Sequence, residues 1–277
     1  MIKATELWMG KELCPGYKLI RLLGRGGYGH VWEAEVEGKR LALKFLPCAD
    51  NRTAAQEIRC IQVMKQLSHP NLVRIDQLWC HRGYIVITME IAEGSLLDLL
   101  DAYQIEYGNP IPADEVIHSL TQAAGAIDFL NTRTHLINGQ RVALQHGDIK
   151  PSNLLLFGET VKLCDFGLSA LTTDPLKGHR RGGTFDYSAP EVLQGRLSDW
   201  SDQYALAVSY CQLRGGRLPF QDAKDKQPGR RPDLSMLSEL ERPIVARALA
   251  TIPLERWPSC GDLMFQLRKA VPAAAAS

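Results

Sequence analysis

Apolar and polar residues alternate along the first part of the chain. Between Tyr17 and Leu46 the alternation is interrupted at two places, the glycine cluster Gly24 to Gly29 and the turn Glu37-Gly38-Lys39. A period of two is typical of strands with one buried face, and glycines mark the turns that join them. The pattern therefore predicts three strands in a meander.

The spacing of apolar residues then changes. Over Thr53 to Leu67 they recur every three residues, which predicts a helix with one buried face. Two more strand-like runs follow, Leu72 to Leu78 and Tyr84 to Met89. The first 90 or so residues are thus predicted to form a small, mostly β lobe with one helix.

Beyond Glu93-Gly94 the pattern becomes mainly helical, which predicts a larger α lobe and an α+β fold class overall. The predicted helices are Ser95 to Tyr103, Ala113 to Asn131, Trp200 to Leu213, Leu237 to Ala250 and Cys260 to Ala270. Gln145 to Glu191 lies between them and is rich in charged residues and glycine. We expect the chemistry to be located in that segment.

Composition restricts the classes of function. Lys plus Arg (32) and Asp plus Glu (31) nearly cancel, so no general field favours nucleic acid or an acidic membrane as partner. The seven cysteines are dispersed without a CxxC pair, which favours a reducing, cytoplasmic compartment. No apolar run of about 18 residues or signal-peptide pattern occurs, so no membrane contact is expected from this chain. Residues 271–277 resemble a linker, so a longer, tethered protein is compatible with the sequence.

The glycine cluster is a candidate phosphate-binding loop. Gly24-Arg25-Gly26-Gly27-Tyr28-Gly29-His30-Val31 has the pattern GxGxxGxV, in which missing side chains let backbone amides approach phosphate oxygens. A dinucleotide-binding fold would need a helix next, whereas the following residues alternate like a strand. The loop is therefore predicted to be the tip of a β-hairpin, and an ordinary glycine-rich turn is the alternative.

Lys44 lies on the third strand, where alternation would bury its stem beneath the glycine loop. A cation there could hold the α and β phosphates of a nucleotide. If it is buried it needs an anionic partner, and Glu57, on the buried face of the predicted helix, could supply one. A solvated strand lysine is the alternative.

His146-Gly147-Asp148-Ile149-Lys150-Pro151-Ser152-Asn153 is followed, twelve residues after Asn153, by Asp165-Phe166-Gly167. Phosphoryl transfer needs a carboxylate beside the attacking hydroxyl and oxygen ligands for Mg²⁺. Asp148, Asn153 and Asp165 supply these groups. Each could instead cap a turn, but the joint spacing favours the catalytic interpretation.

In this order the motifs resemble those of the protein kinase family over about residues 14 to 270. The resemblance implies a bilobal fold in a single domain over 1–277, with an N-lobe at about 14–91, a hinge at about 90–94 and a C-lobe at about 95–270. It implies ATP and Mg²⁺, with Mn²⁺ as an alternative cation, and a protein substrate with a Ser or Thr acceptor.

The resemblance also implies roles for individual residues. Asp148 would be the catalytic base, Lys150 would contact the transferred phosphate, and Asn153 and Asp165 would bind the metal. The implied nucleotide-binding residues are Gly24, Gly26, Gly27 and Gly29 for the phosphates, Lys44 paired with Glu57, Val31, Ala42 and Leu155 around adenine, and Met89, Glu90 and Ala92 at the hinge.

The same family implies an activation segment and its anchors. The segment would include Asp165, Phe166, Gly167, Thr172, Thr173, Thr184 and Glu191. Lys150 and Gly183-Thr184 are similar to the serine/threonine branch of the family. Asp202 resembles the buried aspartate that anchors the catalytic loop, and Arg256 resembles the arginine that pairs with Glu191.

Two features depart from the family pattern. Gly147 stands where most members have the arginine that binds an activation-loop phosphate, which makes the motif HGD. The segment Thr132 to Gln145 is longer than usual, and Asn138-Gly139 between apolar runs predicts a small β-hairpin there. His135 within it is expected to be a solvated loop histidine.

Two other interpretations stay open at the level of sequence. A small-molecule phosphotransferase of the aminoglycoside or choline kinase kind also carries HGD, although Gly183 to Glu191 and Asp202 disfavour it. A pseudokinase, a binding module without the chemistry, would usually have lost one of the site residues, and none is lost here. Oligomeric state and physiological substrate do not follow from the sequence.

Overall fold

The structure is a computed structural model that describes residues 12–14, 16–26, 29–48, 51–137, 139–165, 184–220 and 231–271. The chain divides into two compact units. The first consists of residues 1–68 and 73–92, and the second of residues 69–72 and 93–277. The division near residue 92 coincides with the change from β to mainly α structure.

The first unit is built on one six-stranded antiparallel sheet with the order β1-β2-β3-β4-β6-β5. Its strands are β1 (Glu12–Cys14), β2 (Tyr17–Gly26), β3 (Gly29–Val36), β4 (Lys39–Pro47), β5 (Ile75–His81) and β6 (Tyr84–Met89). Helix α1 (Asn51–Lys65) contributes Ile61 to an apolar cluster with Leu46 and Ile85 of the sheet. The predicted meander and helix are confirmed, with shifts of two or three residues at some ends.

The second unit is mainly helical. Its helices are α2 (Leu96–Tyr107), α3 (Ala113–Asn131), α4 (Pro190–Leu193), α5 (Ser201–Gly215), α6 (Glu241–Ala248) and α7 (Cys260–Ala270). Helix α3 packs against both α5 and α7. Helix α5 is buried almost all round, as expected for the central helix of a core. The predicted α lobe is confirmed, although α6 is shorter than the apolar spacing predicted.

A capping box and a glycine determine where helix α2 begins and ends. The Ser95 hydroxyl accepts the Asp98 N–H at 3.2 Å, and the Asp98 carboxylate accepts the Ser95 N–H at 2.7 Å, which is a reciprocal capping box. At the other end Gly108 adopts φ +65° and ends the helix. This glycine allows α2 to run past Tyr103, its predicted end, to Tyr107.

The second unit also contains five short strands in two small sheets among the described residues. Strands β10 (Leu154–Phe157) and β11 (Thr160–Leu163) form a three-stranded sheet with β7 (Gly94–Ser95). Strands β8 (His135–Ile137) and β9 (Gln140–Val142) form the hairpin that Asn138-Gly139 predicted. Gly139 adopts φ +78°, as such a turn requires.

The prediction for His135 was wrong. Only 7% of its surface is exposed. Its ring packs edge-on against Phe129 at 5.0 Å between ring centroids, and its Nε2 donates to the Phe129 carbonyl oxygen at 2.9 Å. The hairpin folds back on the end of α3, and this tertiary contact buries a histidine that local sequence assigned to a solvated loop.

Cys164, Cys211 and Cys260 are buried, while Cys48 is half-buried and Cys80 is exposed. Burial raises the pKa of the Cys211 and Cys260 thiols, which keeps them protonated. Within the described ranges, no helix has the length and apolar character needed to cross a membrane.

Candidate active site

One carboxylate holds the start of the loop that carries the HGD motif. Asp202, in the first turn of α5, is buried and accepts the backbone N–H of His146 at 2.7 Å and that of Gly147 at 2.8 Å. Gly147 adopts φ +72°, a conformation that is unfavourable for any residue with a Cβ atom. The glycine therefore meets a backbone requirement of this loop.

His146 fixes the loop from the other side. Its Nε2 donates to the Cys164 carbonyl oxygen at 2.8 Å, and its Nδ1 accepts the Asp148 N–H at 3.1 Å. Because a carbonyl oxygen can only accept, the ring carries its hydrogen on Nε2. The fully buried imidazole thus joins the loop of the HGD motif to the end of β11.

Asp148 lies at the centre of this arrangement and is only 8% exposed. Its Oδ2 accepts Lys150 Nζ at 2.9 Å and Asn153 Nδ2 at 3.0 Å. Its Oδ1 is buried and has no hydrogen-bond partner among the described residues. Buried carboxylate oxygens normally have partners, so this one is available to accept a hydrogen bond from a bound molecule.

A small crevice lies beside this carboxylate, and Gly147, Asp148, Tyr187, Ser188 and Ala189 line part of it. The Tyr187 hydroxyl donates to the side-chain oxygen of Gln212 on α5. Burial raises the pKa of Tyr187 to about 12, so the phenol stays protonated near neutral pH. Tyr187 and Asp148 therefore line the same crevice.

A buried ion pair fixes the segment that follows the crevice. Arg256 donates from both terminal nitrogens to the Glu191 carboxylate at 2.8 Å, and the hydroxyls of Ser198 and Ser201 donate to the same carboxylate at 2.9 Å. Burial by itself would raise the pKa of Glu191, but the hydrogen bonds and charge of Arg256 outweigh it and lower that pKa. Glu191 is therefore held ionised.

Asp165 follows β11 and adopts φ +60°, which is unusual for a residue with a side chain. Just before it, the Cys164 N–H donates to the Asn153 carbonyl oxygen at 3.0 Å, so the two predicted metal ligands belong to adjacent, bonded segments. Phe166, Gly167, Thr172 and Thr173 lie outside the described residues. Thr184 begins a short 3₁₀ turn that ends at Asp186.

In the first unit, the glycine cluster forms the end of the β2–β3 hairpin, with Gly26 opposite Gly29. Gly29 adopts φ +139°, and a Cβ atom there would lie 1.9 Å from the Phe45 carbonyl oxygen. At Gly24, by contrast, an added Cβ would meet no atom of the described residues within 4 Å. Gly29 is thus required by the fold, whereas Gly24 is not; Gly27 lies outside the described residues.

Lys44 is 5% exposed, so its predicted burial is observed. Register places it opposite Val31, and places Ala42 opposite Met89, so these four side chains share one face of the sheet. Glu57 is half-buried on α1. Its pairing with Lys44 stays a prediction.

The remaining residues predicted to bind the nucleotide lie after β6 and on β10. Glu90 and Ala92 follow β6, and the Glu90 carboxylate accepts the Arg74 N–H at 3.1 Å. Leu155 lies on β10 opposite Lys162 and Ser95. The adenine contacts predicted for these residues stay predictions.

Sequence reasoning missed several supporting residues. Ser198 and Ser201 complete the bonding of Glu191, and Gln212 bonds Tyr187. The sequence signal for the serines is weak, because Ser198 lies just before the predicted helix Trp200 to Leu213 and Ser201 lies in its first turn. Their contacts join residues that helix periodicity does not relate.

Comparisons with known proteins agree with this geometry. The family model described as "Protein kinase domain" matches residues 17–265. The chain is 31% identical to the serine/threonine-protein kinase PknF of Mycobacterium tuberculosis over 274 residues, which cover 89% of this chain and 54% of that protein. It is also 31% identical to CBL-interacting protein kinase 4 of Oryza sativa, covering 77% and 47%.

A solved structure shares the fold. The crystal structure of the Mycobacterium tuberculosis PknI kinase domain superposes with a TM-score of 0.72 at 26% identity, covering 95% of this chain and 98% of that one. The chain spans about half the length of the curated relatives it matches. By the family match over most of its length, the chain belongs to the protein kinase family.

Proposed function

We propose that this chain transfers the γ-phosphate of ATP to serine and threonine hydroxyls of protein substrates. The observation that carries the proposal is Asp148, whose Oδ2 is occupied by Lys150 and Asn153 while its buried Oδ1 has no partner among the described residues. That arrangement leaves one oriented acceptor for a substrate hydroxyl.

In the proposed reaction, the acceptor hydroxyl donates a hydrogen bond to Asp148 Oδ1. Its oxygen forms the new bond to the γ-phosphorus as the bond to the bridging oxygen of ADP breaks, and the hydroxyl proton passes to Asp148. Lys150 Nζ, 2.9 Å from Asp148 Oδ2, brings a positive charge to the reacting groups. Catalysis here consists mainly of positioning and charge stabilisation.

The residues present fit a Mg²⁺ ion. Asn153 uses its Nδ2 in two bonds, to the Asp148 carbonyl oxygen at 2.8 Å and to its Oδ2 at 3.0 Å, so the amide oxygen is the atom left to bind a cation. We propose that this oxygen and the Asp165 carboxylate hold the ion, which when bound neutralises phosphate charge.

Such a site has few protein ligands. Among the described residues no three His, Cys, Asp or Glu side chains converge as a metal site. That fits an ion held by one or two protein side chains together with the phosphates of ATP, which is the usual manner for Mg²⁺. Mn²⁺ is the alternative cation.

For the nucleotide we propose the face of the sheet that carries Val31, Ala42, Lys44 and Met89. The shared face, derived from register, supports this proposal. Gly24 supports it too, because no described residue fills the space beside it. We propose that Lys44 holds phosphates and pairs with Glu57, and that the backbone of Glu90 and Ala92 binds adenine.

Gly147 bears on regulation. It offers no side-chain cation for a phosphate on the activation segment, whose charge would be near −2. We therefore propose an HGD-type kinase that is active without phosphorylation of that segment. The test is the activity of phosphatase-treated protein and of a Thr172→Ala/Thr173→Ala double variant, since a large loss in both would exclude the idea.

Substrate class is tested by labelled phosphate transfer from Mg·ATP to myelin basic protein and, in parallel, to an aminoglycoside. The proposal predicts label on serine and threonine of the protein and none on the aminoglycoside. Label on the aminoglycoside alone would favour a small-molecule phosphotransferase. No label on either, from folded protein, would favour a pseudokinase.

A further inference from the structure

A pair of amide side chains in the second unit is not used by the mechanism above. Gln122, on α3, accepts Asn71 Nδ2 and the Val161 N–H through its Oε1, both at 3.0 Å. Its Nε2 donates to the Glu159 carbonyl oxygen at 2.9 Å. Asn71 Nδ2 also donates to the Val161 carbonyl oxygen at 2.9 Å. The two amides therefore hold both polar groups of one backbone residue.

These bonds occupy the outer edge of β11. The inner edge pairs with β10, where Leu154 lies opposite Leu163. On the outer edge the Leu163 N–H donates to the Asn71 carbonyl oxygen at 2.9 Å, and Leu72 bridges to Leu163. Asn71 and Gln122 thus fill positions that a neighbouring strand would otherwise fill. The strand is fixed along its whole described length.

The end of β11 determines where Asp165 lies. Leu163 is two residues before Asp165, and the intervening Cys164 is bonded to His146 and Asn153 of the catalytic loop. Asp165 itself has φ +60°. A residue with a side chain keeps such a conformation only when its surroundings enforce it, so Asp165 depends on a firmly held strand.

We propose that Gln122 and Asn71 are positioning residues for Asp165. They hold β11 so that the Asp165 carboxylate stays in place to bind the metal ion, although neither side chain belongs to the HGD motif or to the Asp165 motif. This inference rests on the function proposed above. Some residues orient a metal ligand without touching the metal themselves. Replacing such a residue typically lowers metal affinity about 10- to 100-fold.

The informative variant is Gln122→Met, which keeps the length of the side chain and removes its hydrogen bonds. It leaves the Val161 N–H and the Glu159 carbonyl oxygen without these partners. Gln122→Glu keeps an acceptor for Asn71 Nδ2 and the Val161 N–H but turns a charged oxygen towards the Glu159 carbonyl oxygen, so it loses one tether and should still raise the Mg²⁺ midpoint.

Asp128→Ala is the matched control. Asp128 lies on the same helix and also tethers a distant backbone, because it accepts the N–H groups of Cys260 and Gly261 at 2.9 and 2.8 Å. This tether runs to α7 and not to β11. Its loss should lower stability without affecting Asp165.

The measurement uses the full chain and does not depend on turnover. Binding of a non-hydrolysable ATP analogue, β,γ-imido-ATP, is followed by thermal shift as Mg²⁺ is titrated, and hydrogen exchange is measured over residues 159–165. For Gln122→Met we expect a midpoint for Mg²⁺ about 10-fold higher than in wild type and faster exchange. For Asp128→Ala we expect a lower melting temperature with the wild-type midpoint.

Two results would overturn this inference without contradicting the proposed function. One is a Mg²⁺ midpoint for Gln122→Met within twofold of wild type, and the other is a shift of the Mg²⁺ midpoint in Asp128→Ala as large as that in Gln122→Met. If Gln122→Met does not fold, Gln122→Glu carries the same comparison. Wild-type protein that binds the analogue equally with and without Mg²⁺ would instead contradict the proposed function, and the inference with it. The two failures are therefore distinguishable.

Discussion

Replacing Arg256 with methionine removes the guanidinium group that the second unit buries against Glu191. The Arg256 side chain is 0% exposed and that of Glu191 is 9% exposed. Besides the two bonds to Glu191, Arg256 donates to the carbonyl oxygens of Trp200 at 3.0 Å and Ala250 at 2.9 Å. Methionine keeps much of the volume but none of these bonds.

Removing one partner of a buried ion pair costs about 3–5 kcal/mol of unfolding free energy, because the other charge stays buried. For a chain of this size each kcal/mol lowers the melting temperature by about 2–4 °C. We therefore expect Arg256→Met to melt about 6–20 °C below wild type. Arg256→Lys keeps the charge without the planar fork and should also be clearly destabilised.

Thermal unfolding followed by circular dichroism at pH 7 measures this difference. Arg133→Met is the matched control, because Arg133 pairs with Asp199 at 3.2 Å while 71% and 45% of the two side chains are exposed. Such surface pairs contribute about 0–1 kcal/mol, so the control should shift the melting temperature by at most about 4 °C. An Arg256→Met shift no larger than that of the control would refute the reasoning.

Three further outcomes follow from the same geometry. Gly24→Ala should keep wild-type stability but weaken ATP binding. Gly29→Ala should instead lower stability, because its Cβ would meet the Phe45 carbonyl oxygen. Calorimetry of unfolding measures the change in stability, and calorimetry of ATP binding measures the change in affinity. The stability gap between wild type and Glu191→Gln should be constant above about pH 5 and should narrow as pH falls below about 4.3. The sign follows from the lowered pKa of Glu191, and melting temperatures from pH 3 to 7 test it. Gly147→Ala should cost about 1–2 kcal/mol of stability, measured by urea unfolding, because φ is +72°.

The sequence predicted correctly those elements that depend on residues close together along the chain. The β8–β9 hairpin follows from Asn138-Gly139, whose turn needs positive φ, and Gly139 has it. Helix α1 follows from a three-residue apolar spacing, and Ile61 lies in the cluster that this spacing implied. The order and spacing of the motifs predicted that Asp148 and Asn153 lie close together, and Asn153 Nδ2 donates to Asp148 Oδ2 at 3.0 Å because both residues belong to one short loop.

Other features depend on contacts between distant residues. Asn71 and Gln122 are 51 residues apart and form their bond only after α3 has packed beside the β10–β11 hairpin. His135 is buried because the hairpin returns to Phe129, six residues earlier. Gly29 matches a phosphate-loop pattern, but the Phe45 carbonyl oxygen gives it a second, steric requirement that the pattern does not contain.

In the proposed reaction Asp148 accepts the proton of a substrate hydroxyl during phosphoryl transfer. Asn replaces the carboxylate at nearly constant volume, so Asp148→Asn should fold and bind Mg·ATP like wild type. In single-turnover transfer of labelled phosphate from ATP to a serine peptide, we expect its rate to fall by about 10²–10⁴-fold. A rate within tenfold of wild type, with ATP binding unchanged, would contradict the account.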